Sequence, residues 1–245
     1  MKTLEAFKNQ CNAITKQIQQ IGLDKESHFV IDGIIEPEKY LNAKYRILWI
    51  LKEANSESNT WSYLEKFKDK EWLCRCGKSV PTLKRLIYTT YGILRDCKWS
   101  EIPDASNEKS FEPLQEIAII NIKKIPGGSI SVGNEIQQAY YDNIELLKRQ
   151  IETYDPNVVI FGNTLQFFYK SDFDGLETAE KQYTEYGNAF YDTGDKLYIH
   201  TWHPAVRGAG FRDEDYVMDI VNIVRNWKQK ENTAANRVDC PASLG

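Results

Sequence analysis

Four runs of apolar residues stand out from a mixed chain, and each ends in polar residues: YRILWIL (45–51), EIAIINIKK (116–124), DPNVVIFGN (155–163) and the close of YGNAFYDTGDKLYIHTWHP (186–204). Runs this short, rich in Ile, Val and Leu and without helical spacing, read as buried strands. In the last of them a hairpin-like turn leads into the strand. The segments between them carry helical periodicity. Leu4, Phe7, Cys11, Ile14, Ile18 and Ile21 recur every three or four residues and make an amphipathic helix over 1–22, stopped at Gly22. A loop or short extended piece follows as far as Pro37. Residues 60–100 read as helical, with aromatic positions at Trp61, Tyr63, Phe67 and Trp72 and a second start at Pro81. Further helices are expected over 134–154, briefly over 164–170, and over 213–230, the last acidic at its start and basic at its end, as the helix dipole favours.

Strands alternating with helices imply a parallel sheet. The expected fold is α/β, a three-layer sandwich with a central, mostly parallel four-stranded sheet flanked by helices. One domain is expected over 1–230, with a helical insertion at 57–112 and a flexible C-terminal tail at 231–245, where periodicity fades. In such sheets ligands bind beyond the carboxyl ends of the strands. The polar residues just past each run are therefore the candidate site: Lys52, Glu53, Asn55 and Ser56; Asn121, Lys123 and Lys124; Gly162 and Asn163; His200, His203 and Arg207.

Composition narrows the chemistry. No run approaches the roughly 20 apolar residues of a membrane span, and the N-terminus lacks a continuous apolar signal segment, so a cytoplasmic monomer is expected. The five cysteines are an odd number and are expected to be reduced thiols. CRCG (74–77) has one residue between its cysteines and no second close pair, which argues against a zinc or iron–sulfur site. A formal net charge of −4 argues against indiscriminate nucleic-acid binding but leaves room for a local basic groove built from Lys123, Lys124, Arg207 and Arg212. Ser56, Ser129 and Ser131 sit in no nucleophile elbow, and no glycine-rich nucleotide motif is present, so no cofactor is expected.

His200 and His203 look at first like a metal pair. Side chains alternate along a strand, so a separation of three sends the two rings to opposite sides, and neither a metal nor a shared role is expected. His200 is assigned to the sheet. His203 comes at the strand end before Pro204, which biases it to extended geometry and aims its ring either into a cleft or over the turn as a cap. Glu53 is either a solvated loop acid or a carboxylate that orients a water and stabilises a developing cation. Asn121 either satisfies a strand-end backbone or presents the donors and acceptor that read the edge of a base.

The ordered set KEANS (52–56), IINIKK (119–124), DPNVVIFGN, and HTWHPA (200–205) followed by VRGAGF resembles the uracil-DNA glycosylase superfamily over residues 45–225. KEANS is similar to its water-activating motif, with Lys52 and Asn55 where the family has glycine and proline; HTWHPA is similar to its His-Pro-Ser motif, with Ala205 in place of serine. The resemblance implies hydrolysis of the bond between deoxyribose and uracil or a related damaged base in DNA, with no cofactor and no metal. Glu53 would orient water and His203 would donate to the departing base. Asn121 and Asn55 would contact the base, and Trp61, or failing it Trp72, would stack on it. Lys123, Lys124 and Arg207 would meet DNA, and Val206 or Phe211 would be the apolar wedge of the loop. Two other readings stay open: a module of the same fold that binds a nucleobase or nucleic acid without chemistry, and a hydrolase of free nucleosides.

Overall fold

The computed structural model describes residues 3–55, 60–208 and 210–238. In chain order the elements are α1 (Leu4–Asp24), β1 (Val30–Ile31), β2 (Gly33–Ile34), α2 (Pro37–Asn42), β3 (Ile47–Leu51), β4 (Trp61–Ser62), α3 (Tyr63–Lys66), α4 (Lys70–Cys76), α5 (Pro81–Arg95), α6 (Glu108–Phe111), β5 (Ala118–Asn121), α7 (Gly133–Tyr154), β6 (Val158–Gly162), β7 (Lys181–Tyr183), β8 (Ala189–Asp192), β9 (Leu197–Thr201) and α8 (Asp213–Val238), with short 3₁₀ turns between some of them. Local chemistry sets several of these boundaries. Thr3 caps α1 by accepting from the Ala6 amide, Asp69 caps α4 by accepting from Trp72, and Pro81 opens α5, where its missing N–H costs nothing. α5 and α7 both stop at an aspartate in the left-handed region, Asp96 and Asp155.

The sheet is mixed, with strand order β2-β5-β3-β6-β9-β8-β7. Its centre, β5-β3-β6-β9, is parallel throughout. It has seven strands where four were expected: β2 pairs antiparallel with β5 at one edge, and the β7–β8–β9 antiparallel ladder extends the other. The edge strands are two to four residues long and mixed in polarity, so they lack the continuous apolar signature that marks strands buried on both faces. Two other expectations change as well. Within 60–112 only α5 is long, and β4 forms a separate two-stranded parallel pair with β1. The last helix continues to Val238, through the first part of the expected tail; the rest of that tail, like Ser56 in the candidate site, lies outside the described residues.

Strand alternation builds two cores. Ile47, Trp49, Leu51, Ile119, Val158, Ile160, Leu197 and Ile199 face α5 and α8, while Leu48, Ile50, Ala118, Ile120, Val159, Phe161 and Tyr198 face α1 and α7. A fully buried Leu or Ile contributes about 1.5–3 kcal/mol each, so these facing rows fix the register of the sheet. No helix among the described residues is long and apolar enough to cross a membrane. The connection from β3 leads to β5 on one side and that from β6 leads to β9 on the other, which opens a crevice beyond the carboxyl ends of the central strands.

Candidate functional site

A cavity of about 420 Å³ occupies that position on the α5/α8 side of the sheet. Leu51, Ile119 and Phe67 are among its apolar lining residues, Trp61, Tyr63 and Trp72 bring aromatic rings, and Glu53, Asn55, Ser129, Ser131, His203 and Arg207 bring polar groups. The volume lies within the range of small-molecule sites. Further hollows of about 390 and 330 Å³ lie between α8 and β8 and beside the start of β6, and neither touches Glu53 or His203. Among the described residues no three His, Cys, Asp or Glu side chains gather as a metal-holding group.

Past their last ladder residues, β3 and β5 stay zipped together. Ile122 donates to Leu51, Lys123 to Lys52 and Gly127 to Ala54, at 3.0, 2.9 and 2.9 Å. This pairing holds Glu53 beneath the β5 loop. Its carboxylate lies 2.9 Å from the Lys123 ammonium, at an angle outside hydrogen-bond geometry, and its side chain is only 4% exposed. Lys123 reaches Glu135 as well, also at 2.9 Å. Burial pulls the Lys123 pKa down, but the carboxylates of Glu135 and Glu53 beside it outweigh that and leave it raised. Gly127 lies directly against the Glu53 carboxylate, where any side chain would overlap it.

His203 enters from β9. Gly162, at the end of β6, makes the approach possible, because a Cβ there would stand 2.6 Å from Leu51 Cδ2 and 3.0 Å from Pro204 Cδ. The Ala205 amide donates to His203 Nδ1 at 3.1 Å. Nδ1 is therefore the acceptor, which leaves the proton of the neutral ring on Nε2 as a donor. Burial, reinforced by the nearby Lys52 cation, lowers the His203 pKa to about 4, so the ring is neutral at pH 7. His200 stays in the β9 ladder, paired with Phe161 and Ala189, and burial with the Lys181 charge lowers its pKa too.

Asn121 belongs to this sheet face but not to the cavity wall. It is fully buried, and both side-chain amide atoms lack a hydrogen-bond partner among the described residues. The amide stands beside the Tyr63 hydroxyl without meeting hydrogen-bond geometry, and burial, eased by Asn121, pushes that phenol up to about 12. Tyr63, tilted against Trp61 with ring centroids 4.5 Å apart, is thus the cavity residue that adjoins Asn121.

Two assignments move. Lys124 faces away from the site: it is fully buried, bonds both Asp32 oxygens at 2.9 Å and Gln150 Oε1 at 2.8 Å, and has no surface with which to meet DNA. The same Asp32 accepts from the Asn121 backbone at 2.7 Å. Phe211 is not a free wedge, since its ring packs edge-on against Trp202 at 5.2 Å and Tyr186 at 6.0 Å. One residue was missed. Arg85, buried on α5, donates to the carbonyls of Pro204, Val206 and Phe211 at 3.2, 2.9 and 2.6 Å and to Asp213 at 2.9 Å, tying down both ends of the loop that carries His203. The only sequence signal was an arginine beside Leu86 and Ile87 on the apolar stripe of α5. No family model matches the sequence, and no curated protein does.

Proposed function

We propose that the cavity holds a nucleobase and that the protein hydrolyses the N-glycosidic bond of uracil or a related damaged base in DNA. The observation that carries this reading is the neutral His203, whose Nδ1 accepts from the Ala205 amide and whose Nε2–H meets no partner among the described residues, in the same aromatic-walled cavity as the Glu53 carboxylate. Leu51, Glu53 and His203 bring together the ends of two strands that the resemblance to uracil-DNA glycosylases singles out. In the proposed reaction the C1′–N bond breaks and its electron pair leaves with the base, whose oxygen accepts from His203 Nε2–H. Water adds at C1′, oriented by Glu53, which takes its proton and stabilises the cation-like sugar. The departing base is reprotonated from solvent, so base and sugar leave with the elements of one water shared between them. Trp61 and Trp72 offer faces for the base, and Asn121 would reach its edge once Tyr63 swings aside.

Oligonucleotides carrying uracil or other deaminated or oxidised bases, probed for alkali-labile abasic sites, test the proposal. His203→Gln should lower the rate roughly 10²–10³-fold, the cost of losing one oxyanion donor, and Glu53→Gln should abolish turnover while binding persists. No abasic product from the wild type with any of these bases would sink the enzymatic reading.

A second reading, a nucleobase-binding module without chemistry, is favoured by one observation. Glu53 is already engaged by Lys123 and covered by Gly127, which crowds the position a water would need. It predicts binding that survives Glu53→Gln with no product from either protein.

A further inference from the structure

Beside the cavity mouth the loop after β9 carries an aromatic cluster that the proposed chemistry does not use. Trp202, immediately before His203, is 43% exposed. Phe211 meets it edge-on, with ring planes at 72°, and meets Tyr186 at 87°. The Phe211 ring also lies against Gly208, next to Arg207, and Arg207 lines the cavity. Hydrogen bonds tie down the backbone beneath the cluster. Tyr216 donates to the Trp202 carbonyl at 2.9 Å, Arg85 holds the Phe211 carbonyl at 2.6 Å, and Gly187, in the turn between β7 and β8, lies beside the Trp202 indole nitrogen.

Charge points to the same kind of ligand. Among the described residues neither Lys52 nor Arg207 forms an ion pair, although Lys52 is close enough to His203 to lower its pKa and Arg207 is exposed. Two unpaired cations beside a nucleobase-sized cavity, next to an exposed indole, suit a strand whose phosphates run along the rim and whose next base stacks on Trp202. A duplex fits poorly. Inserting a wedge into stacked bases would require Phe211 to leave both of its ring partners or Val206 to leave the core it packs against, and the chain as a whole is acidic.

We propose that Trp202, backed by Phe211 and Tyr186, is a stacking platform for the base adjoining the one in the cavity, so that the protein takes single-stranded nucleic acid in preference to duplex. This rests on the reading that the cavity accepts a nucleobase, but not on any reaction there.

The test is the fluorescence anisotropy of a labelled deoxyuridine-containing 12-mer, alone and annealed to its complement, together with deoxyuridine monophosphate as a competitor that reaches only the cavity. The single strand should bind at least roughly ten-fold more tightly than the duplex. Trp202→Ala should weaken single-strand binding by roughly ten-fold or more, within the span of one lost base–aromatic stack. Trp202→Phe should retain most of the affinity, and the mononucleotide should bind all three proteins alike. Equal affinity for both strand forms, an alanine variant that binds the single strand as the wild type does, or no binding of either form would overturn the platform. Abasic sites formed equally in both strand forms and unaffected by Trp202→Ala would remove the platform and leave the glycosylase reading standing. Trp202-dependent binding without any abasic product would do the reverse.

Discussion

Lys123 and Lys124 are neighbours in sequence, and both pair with carboxylates at 2.9 Å, Lys123 with Glu53 and Glu135 and Lys124 with Asp32 alone, yet they serve opposite sides of the sheet. Lys124 and Asp32 are completely enclosed, and Gln150 completes their bonding between β5 and α7. Lys123 keeps 20% of its side chain exposed and bridges Glu53 to Glu135 beside the cavity. Burial lowers the pKa of Lys124, only partly opposed by Asp32, whereas its two acidic partners leave that of Lys123 raised. The difference shows how one step along a strand end separates an enclosed ion pair from one beside a cavity. An enclosed pair has no solvent to fall back on when a partner is lost, while a pair at a cavity does.

The largest expected effect tests the enclosed pair. Lys124→Met strands the Asp32 charge and should cost about 3–5 kcal/mol. In a chain of this length that is a fall in Tm of roughly 6–20 °C, read by calorimetry. Adding Asp32→Asn should recover part of the loss, because the buried charge is then gone. Lys123→Met should cost only about 1–2 kcal/mol, since Glu53 can turn toward cavity water. Under the proposed function it should also cut abasic-site formation roughly 10- to 100-fold by misplacing that carboxylate. Equal thermal losses in the two variants would erase the contrast.

The last test uses pH and concerns His203. Its pKa is about 4 in the folded protein against 6.5 in the unfolded chain. Between those values the unfolded chain binds a proton that the folded one does not, so the stability tied to the neutral ring is full above pH 6.5 and drains away as pH falls through 4. A plot of Tm against pH should therefore be flatter in this interval for His203→Gln than for the wild type, and parallel curves would refute the assignment.

Much of this was legible in the chain, for definable reasons. The four central strands are buried on both faces, so they appear as unbroken apolar runs, and their polar ends bring Glu53 and His203 to one cavity. The edge strands escaped because Gly33–Ile34 is too short to show a period and Lys181–Tyr183 is mostly exposed. The misplacement of Lys124 was avoidable. Ile119, Asn121 and Lys123 share one parity and Ile120, Ile122 and Lys124 the other, so alternation carried past the strand end separates the two lysines. Arg85 was not legible, because its partners are mainly backbone carbonyls, which no residue pattern records.

That arginine also governs when the site comes into being. Its bonds to Pro204, Val206, Phe211 and Asp213 join residues 119 to 128 positions apart. Contacts so distant in sequence carry a high loop-closure cost. During synthesis the strand ends around Glu53 are made long before the loop that Arg85 grips. The His203 side of the cavity is completed only after the chain has passed Asp213 and α8 has docked. A nascent or truncated chain ending earlier would carry the acid without the Arg85 contacts that fix its donor.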